Sequence, residues 1–230
     1  MPALICDVDG VLVDSPHEQA WRAALDGFAP QAGFTTAFYQ AHVAGKPRQD
    51  GAVAALTGLG VPDAAGRAAE YAERKQRILE GLIASGSFAA FADAQRLLLA
   101  ARAAGWKLAA ASSSKNASAM MRAIRLGAGT LKDLFDADLC GRDMPHGKPA
   151  PDLFLAAATE LGTPPVACWV IEDAPAGIRA AKAGGMAALG IARHDDAAPL
   201  RRAGADLVVS SLDCIDTAAL AQACLRARKE

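Results

Sequence analysis

The run Asp7-Val8-Asp9-Gly10-Val11 follows directly on the apolar stretch Ala3-Leu4-Ile5-Cys6. On an extended chain residues i and i+2 point the same way, so both carboxylates can face one site. Two acids that close repel and shift each other's pKa unless a cation lies nearby. Oxygen-only ligands with an open coordination sphere suit Mg²⁺. One carboxylate could then attack an electrophile while the other moves protons. An Asp-x-Asp-Gly turn can also open a calcium loop or simply end a strand. A calcium loop, however, needs further ligands and a late Glu between helices, whereas here the apolar Val11-Leu12-Val13 follows.

Three later segments carry complementary chemistry. Ala109-Ala110-Ala111 leads into Ser112-Ser113-Ser114-Lys115-Asn116, which offers hydroxyls, backbone N–H groups, a cation and an amide to an anion. Taken alone it reads equally as a Ser-rich helix cap with a solvated lysine. In Gly147-Lys148-Pro149-Ala150-Pro151-Asp152 the two prolines stiffen the approach to a helix and hold Lys148 in place. Val170-Ile171-Glu172-Asp173-Ala174-Pro175 ends another apolar run in two acids, which could cap the next helix or give a magnesium ion hard oxygen ligands. Together these segments supply a nucleophile and an acid, a hydroxyl, a fixed lysine and a second acid pair. Phosphoryl transfer needs that set: Mg²⁺ and Lys148 would neutralise charge on the group in flight, Ser112 would hold its oxygens, and Asp7 would attack phosphorus.

The elements that must position these groups are legible as alternation. Apolar, strand-like runs recur at 3–8, 107–111, 166–171, 186–192 and 206–210. Between the later ones lie helical stretches at 93–104, 116–126, 151–161 and 175–184. That order predicts a Rossmann-like parallel sheet with helices on both faces and the polar strand ends gathered at one rim. Residues 16–87 break the pattern, with helical spacing at about 17–27, 35–43, 48–58 and 63–84. The expectation is an α/β core, 1–15 with 88–230, carrying an inserted all-helical cap, 16–87. The linkers near 13–16 and 84–90 are hinge candidates. Ser15-Pro16-His17-Glu18 predicts a capping box at the first cap helix.

Composition excludes several classes. With 24 basic and 25 acidic side chains the net charge is −1, which provides no field for nucleic acid. No apolar stretch reaches the ~20 residues a membrane helix needs. The N-terminus lacks a signal pattern because Asp7 and Asp9 interrupt it, so a cytoplasmic protein is expected. Five cysteines, at 6, 140, 168, 214 and 224, form no Cys-x-x-Cys pair, which argues against disulfides or zinc. Cys6, Cys168 and Cys214 lie in apolar runs and are expected in the core. The four histidines are too scattered to suggest a metal cluster.

The four segments, in this order, resemble the motifs of the haloacid dehalogenase superfamily, and within it the β-phosphoglucomutase-like branch with a helical cap. The likeness covers essentially the whole chain. It implies that Asp7 becomes an aspartyl phosphate and that Asp9 is the general acid/base. It further implies that Ser112 and Lys148 bind the transferring phosphoryl group. Asp173 would bind Mg²⁺ with Asp7 and the Asp9 carbonyl, Glu172 lying at or beside the metal. Asp9 argues against dehalogenation, because a halide leaves without a proton and an alkoxide does not.

A mutase must also grip a second phosphate, and that branch suggests Arg48 and Lys75 from the cap and Ser114, Lys115 and Asn116 from the core. One departure stands out. β-Phosphoglucomutases usually carry a histidine five residues after the acid matching Asp14, where this chain has Gln19. His17 lies two positions earlier and is expected to point elsewhere on a helix. The reading is therefore a Mg²⁺-dependent phosphatase of a small sugar phosphate, ahead of a β-phosphoglucomutase and of a catalytically silent binding module on the same fold.

Overall fold

The computed structural model describes residues 1–194 and 197–228. Strand β1 (Ala3–Cys6) leads to a short β2 (Val13–Asp14) and then to four helices: α1 (His17–Ala23), α2 (Thr36–His42), α3 (Arg48–Gly58) and α4 (Ala64–Ala84). The chain returns through β3 (Ala89–Ala90) to α5 (Ala92–Ala103), β4 (Lys107–Ala110), α6 (Ala117–Ala123) and a hairpin, β5 (Arg125–Leu126) with β6 (Gly129–Thr130). It ends with β7 (Ala137–Asp138), α7 (Asp152–Glu160), β8 (Cys168–Glu172), α8 (Pro175–Ala183), β9 (Ala187–Ile191), α9 (Ala197–Arg202) and β10 (Leu207–Val209).

Six strands form one sheet in the order β10-β9-β8-β1-β4-β7, with every pairing parallel. Parallel strands are covered on both faces, which is why the apolar runs are continuous rather than alternating. Successive residues of β1 serve opposite layers: Leu4 and Cys6 pack in one core, Ala3 and Ile5 in the other. A third apolar cluster, including Trp21, Leu25, Phe34, Leu56 and Tyr71, holds the inserted helices together. The fold is the expected α/β core with a helical cap.

Register sets the site. Cys6 pairs with Ala110 on one side and with Ile171 on the other. The next residues, Asp7, Ala111-Ser112 and Glu172-Asp173, therefore leave adjacent strands at one rim, beside the point where the strand order reverses. The two cap linkers are tied to each other: β2 and β3 pair antiparallel, and Phe91 N–H donates to the Leu12 carbonyl at 2.9 Å.

Several local expectations change. The edge strand β7 has two residues and a polar second position, too little pattern to be read from sequence. Helix α1 stops at Ala23 rather than 27 and begins after Pro16 with no side-chain cap. The capping box does not form because the Glu18 carboxylate accepts instead from Arg22 and from the Thr36 hydroxyl. Cys6 and Cys168 are buried as expected, but Cys214 is exposed in a short 3₁₀ turn. Among the described residues no helix is long and apolar enough to cross a membrane.

Candidate active site

At the end of β1 the Asp7 side chain is buried, and its Oδ1 accepts from the Lys148 ammonium at 2.7 Å. The same ammonium donates to Glu172 Oε1 at 2.6 Å, and Glu172 Oε2 accepts from the Ala174 N–H at 3.2 Å. Lys148 is itself buried, above the Phe154 ring. Burial would lower its pKa, but the Asp7 and Glu172 carboxylates outweigh it and hold the ammonium above its ordinary range. Burial, with Glu172 and Asp9 nearby, pushes the Asp7 carboxyl up to about 8 against the pull of Lys148.

Asp7, Glu172 and Asp173 can each turn one carboxylate oxygen into a cluster in which the three lie within 4.8 Å of one another. A buried, all-oxygen, triply acidic set fits a hard divalent cation. Gly10 makes the approach possible. It sits at φ +81°, and a Cβ there would fall 2.0 Å from Asp173 Oδ2. Gly10→Ala is expected to displace Asp173 and weaken binding of a divalent cation to the cluster by roughly 10-fold or more, measured by titration calorimetry with Mg²⁺.

Asp9 is held from two sides. Its Oδ2 accepts from the Ser112 hydroxyl at 3.1 Å, while Ser112 Oγ accepts from the Ser114 N–H at 3.0 Å. Its Oδ1 is buried without a hydrogen bond, and His17 Nε2 stands 3.4 Å away. His17 thus turns into the site, contrary to the expectation that it points elsewhere, while Gln19 is exposed. Counting from Asp14 misleads because Ser15-Pro16 is not helical and α1 starts only at His17.

Behind His17, Lys75 Nζ lies 3.1 Å from Nδ1, and the lysine is buried over the Trp21 ring. The other ring nitrogen, Nε2, faces Asp9 and lies 3.3 Å from Ser114 Oγ. Burial lowers the His17 pKa to about 4, with Asp9 opposing and Lys75 adding to the drop. Burial also lowers Lys75 to about 7.

Asp7, Asp9, His17, Ser112, Lys148 and Asp173 border a cavity of about 230 Å³ between the sheet rim and the cap. Glu172 stands just behind its wall, bonded to Lys148. Arg48, Lys75, Ser114, Lys115 and Asn116 line it as well, so every sequence-derived candidate is brought to one place. Arg48 is exposed at the rim, and Lys115 reaches outward to an exposed Asp143 at 3.2 Å. Asn116 exchanges long amide hydrogen bonds, 3.4 and 3.5 Å, with Gln76 of the cap. Tyr39, not singled out in the sequence, also lines the cavity.

Residues 1–185 match the haloacid dehalogenase-like hydrolase family. The chain belongs to that family. It is an enzyme rather than a silent binding module. A β-phosphoglucomutase of Mycobacterium bovis is 35% identical, the match covering 91% of this chain and 89% of that protein. The fructose-1-phosphate phosphatase YqaB of Escherichia coli is 32% identical over 82% of this chain and 95% of its own length. Among solved structures, the β-phosphoglucomutase of Pyrococcus sp. strain ST 04 superposes with a TM-score of 0.75 at 32% identity, covering 97% of this chain and 98% of that one. This haloacid dehalogenase-like hydrolase is therefore similar to both mutases and phosphatases of sugar phosphates.

Proposed function

We propose that this enzyme is a Mg²⁺-dependent phosphomutase of β-phosphoglucomutase type, acting on a small sugar phosphate through an aspartyl phosphate on Asp7. The proposed division is a core of 1–15 with 88–230 and a cap of 16–87, hinged at the β2–β3 ribbon. Asp7, Asp173, Glu172 and the Asp9 carbonyl would hold the magnesium ion. Bound there, the ion supplies positive charge beside the transferring phosphoryl group. Lys148 neutralises the same charge and Ser112 gives up its bond to Asp9 to donate to a phosphoryl oxygen. Asp7 attacks phosphorus, and Asp9 donates a proton to the departing sugar oxygen. In the second half Asp9 takes a proton from the other sugar hydroxyl as it attacks Asp7-bound phosphorus. Arg48, Lys115, Ser114 and Asn116 would hold the second phosphate meanwhile.

The observation that carries the mutase reading is the His17–Lys75 pair set against Asp9. Both residues ride on cap helices, whereas Asp9 belongs to the core. Asp9 is therefore aligned as a base only while the cap covers the rim. When the cap opens to exchange one sugar monophosphate for another, Asp9 loses that alignment and water is not activated against the aspartyl phosphate on Asp7. The missing histidine at Gln19 had favoured a phosphatase, and His17 removes that reason. The phosphatase reading keeps the support of the Escherichia coli relative and of a rim-exposed Arg48 that is free to leave the substrate unclamped.

Incubation with β-glucose 1-phosphate and a trace of the 1,6-bisphosphate separates them. Glucose 6-phosphate is expected to accumulate well beyond free phosphate. His17→Ala is expected to slow isomerisation by roughly 10- to 100-fold and to raise the share of phosphate released. Stoichiometric phosphate without glucose 6-phosphate would make the enzyme a phosphatase.

A further inference from the structure

The loop after β9 carries Arg193 back to the start of the chain. Its Nε donates to the Gly10 carbonyl and its Nη2 to the Val11 carbonyl, both at 3.0 Å. Nη1 and Nη2 also donate to the two oxygens of Asp93, each at 3.1 Å. The guanidinium stacks on Phe91, 3.6 Å from the ring centroid. Asp93, at the start of α5, is itself fixed by the Leu212 N–H at 2.8 Å and the Ser211 hydroxyl at 3.1 Å. The side chains of Arg193 and Asp93 are 12% and 9% exposed, so this pair is not a screened surface contact.

One side chain thus reaches both crossings between core and cap. Gly10 and Val11 belong to the turn that carries Asp9 outward towards β2, a turn closed by Leu12 N–H to Val8 O and Gly10 N–H to Val13 O, both 2.9 Å. Phe91 ends the returning linker, one residue beyond β3. Binding two carbonyls and a carboxylate while lying flat on a ring needs the planar, multidentate fork of arginine, which lysine lacks. The chemistry sits one residue away: Gly10 follows Asp9 and packs against Asp173.

We propose that Arg193 is a positioning residue for phosphoryl transfer, holding the Asp9 turn by its Gly10 and Val11 carbonyls while bracing the returning cap linker through Phe91. This rests on the proposed role of Asp9 and adds a group that neither touches substrate nor belongs to the four strand-end segments. If the turn slackens, Asp9 is misplaced and steps that need its proton suffer most, because displacements near 1 Å cost up to about 100-fold. A leaving group that departs without a proton is spared.

The test compares kcat/KM for wild type, Arg193→Lys and Arg193→Ala. The probes are a sugar phosphate (β-glucose 1-phosphate or fructose 1-phosphate, whichever the wild type turns over) and p-nitrophenyl phosphate, with thermal melts in parallel. Arg193→Lys keeps the charge and the stem on Phe91, so it decides the matter if Arg193→Ala does not fold. A fall of roughly 10- to 100-fold on the sugar phosphate, against less than about threefold on the aryl ester, is expected. Equal losses on both probes, or a lowered melting temperature with unchanged kcat/KM, overturn the positioning role alone. A wild type inert towards both sugar phosphates overturns the proposed function and this role with it.

Discussion

Asp7→Asn is expected to cut turnover by a factor on the order of 10⁴ or more while the protein stays folded. The amide cannot attack phosphorus. Stability survives for a specific reason. Burial already pushes the Asp7 carboxyl up to about 8, so a neutral side chain of the same shape suits the metal-free site at neutral pH. Its oxygen can still accept from Lys148, which keeps Glu172 as counter-ion. The melting temperature without divalent cations should therefore hold or rise. The increase expected from Mg²⁺ in the wild type should shrink, since one proposed anionic ligand is gone. Phosphate-release assays and thermal melts with and without Mg²⁺ check both halves. Appreciable turnover by the variant would remove Asp7 as nucleophile.

Lys148→Met is the second large effect, and it strikes stability as well as rate. Removing the ammonium leaves Asp7 and Glu172 buried against each other with no cation. Stranding one half of a buried pair costs about 3–5 kcal/mol. The pH dependence has a definite sign. The folded pKa of Asp7 already lies above its ordinary 3.8, and Lys148 is the influence that lowers it. Its loss moves the folded value further up. Such a group contributes stability that is fully present below the ordinary value and is lost as pH rises through the folded one. The melting temperature of the variant should therefore fall more steeply than that of the wild type from about pH 8 upwards, where Asp7 of the wild type has already lost its proton in the folded state and that of the variant has not. Added Mg²⁺ should recover part of the loss by supplying the missing positive charge. Parallel melting curves across that range would contradict the account. Turnover should drop at every pH, because the charge proposed to face the phosphoryl group is gone.

The strand-end groups were readable in advance because parallel strands bury both faces and therefore appear as unbroken apolar runs. Once those runs are placed side by side, the residues that follow them must meet at one rim. Asp7, Ser112 and Glu172-Asp173 needed no more than that. Side chains belonging to the cap were harder. Lys75 lies in a charged stretch, Glu73-Arg74-Lys75, that reads equally as a solvated helix face, yet it is buried over Trp21. His17 was discounted by counting along a helix that had not yet begun. Glu18 suggested a cap and instead bonds sideways to Arg22 and Thr36. Arg193, more than 180 residues from the turn it grips, looks from the sequence like any arginine in a polar loop.

What the sequence determined by itself is the chemistry at the sheet: which carboxylates, hydroxyl and lysine stand at the rim, and that a helical insertion follows the first strand. Those facts are local, set by period-two strands and by polar residues placed where apolar runs end. Tertiary structure alone decided what leans over the rim. On a helix each step turns a side chain by about 100°, so one residue of offset in where α1 starts redirects His17 altogether. The meeting of His17, Lys75 and Asp9, and the grip of Arg193 on the Asp9 turn, depend on how separate elements pack, which no stretch of chain specifies on its own.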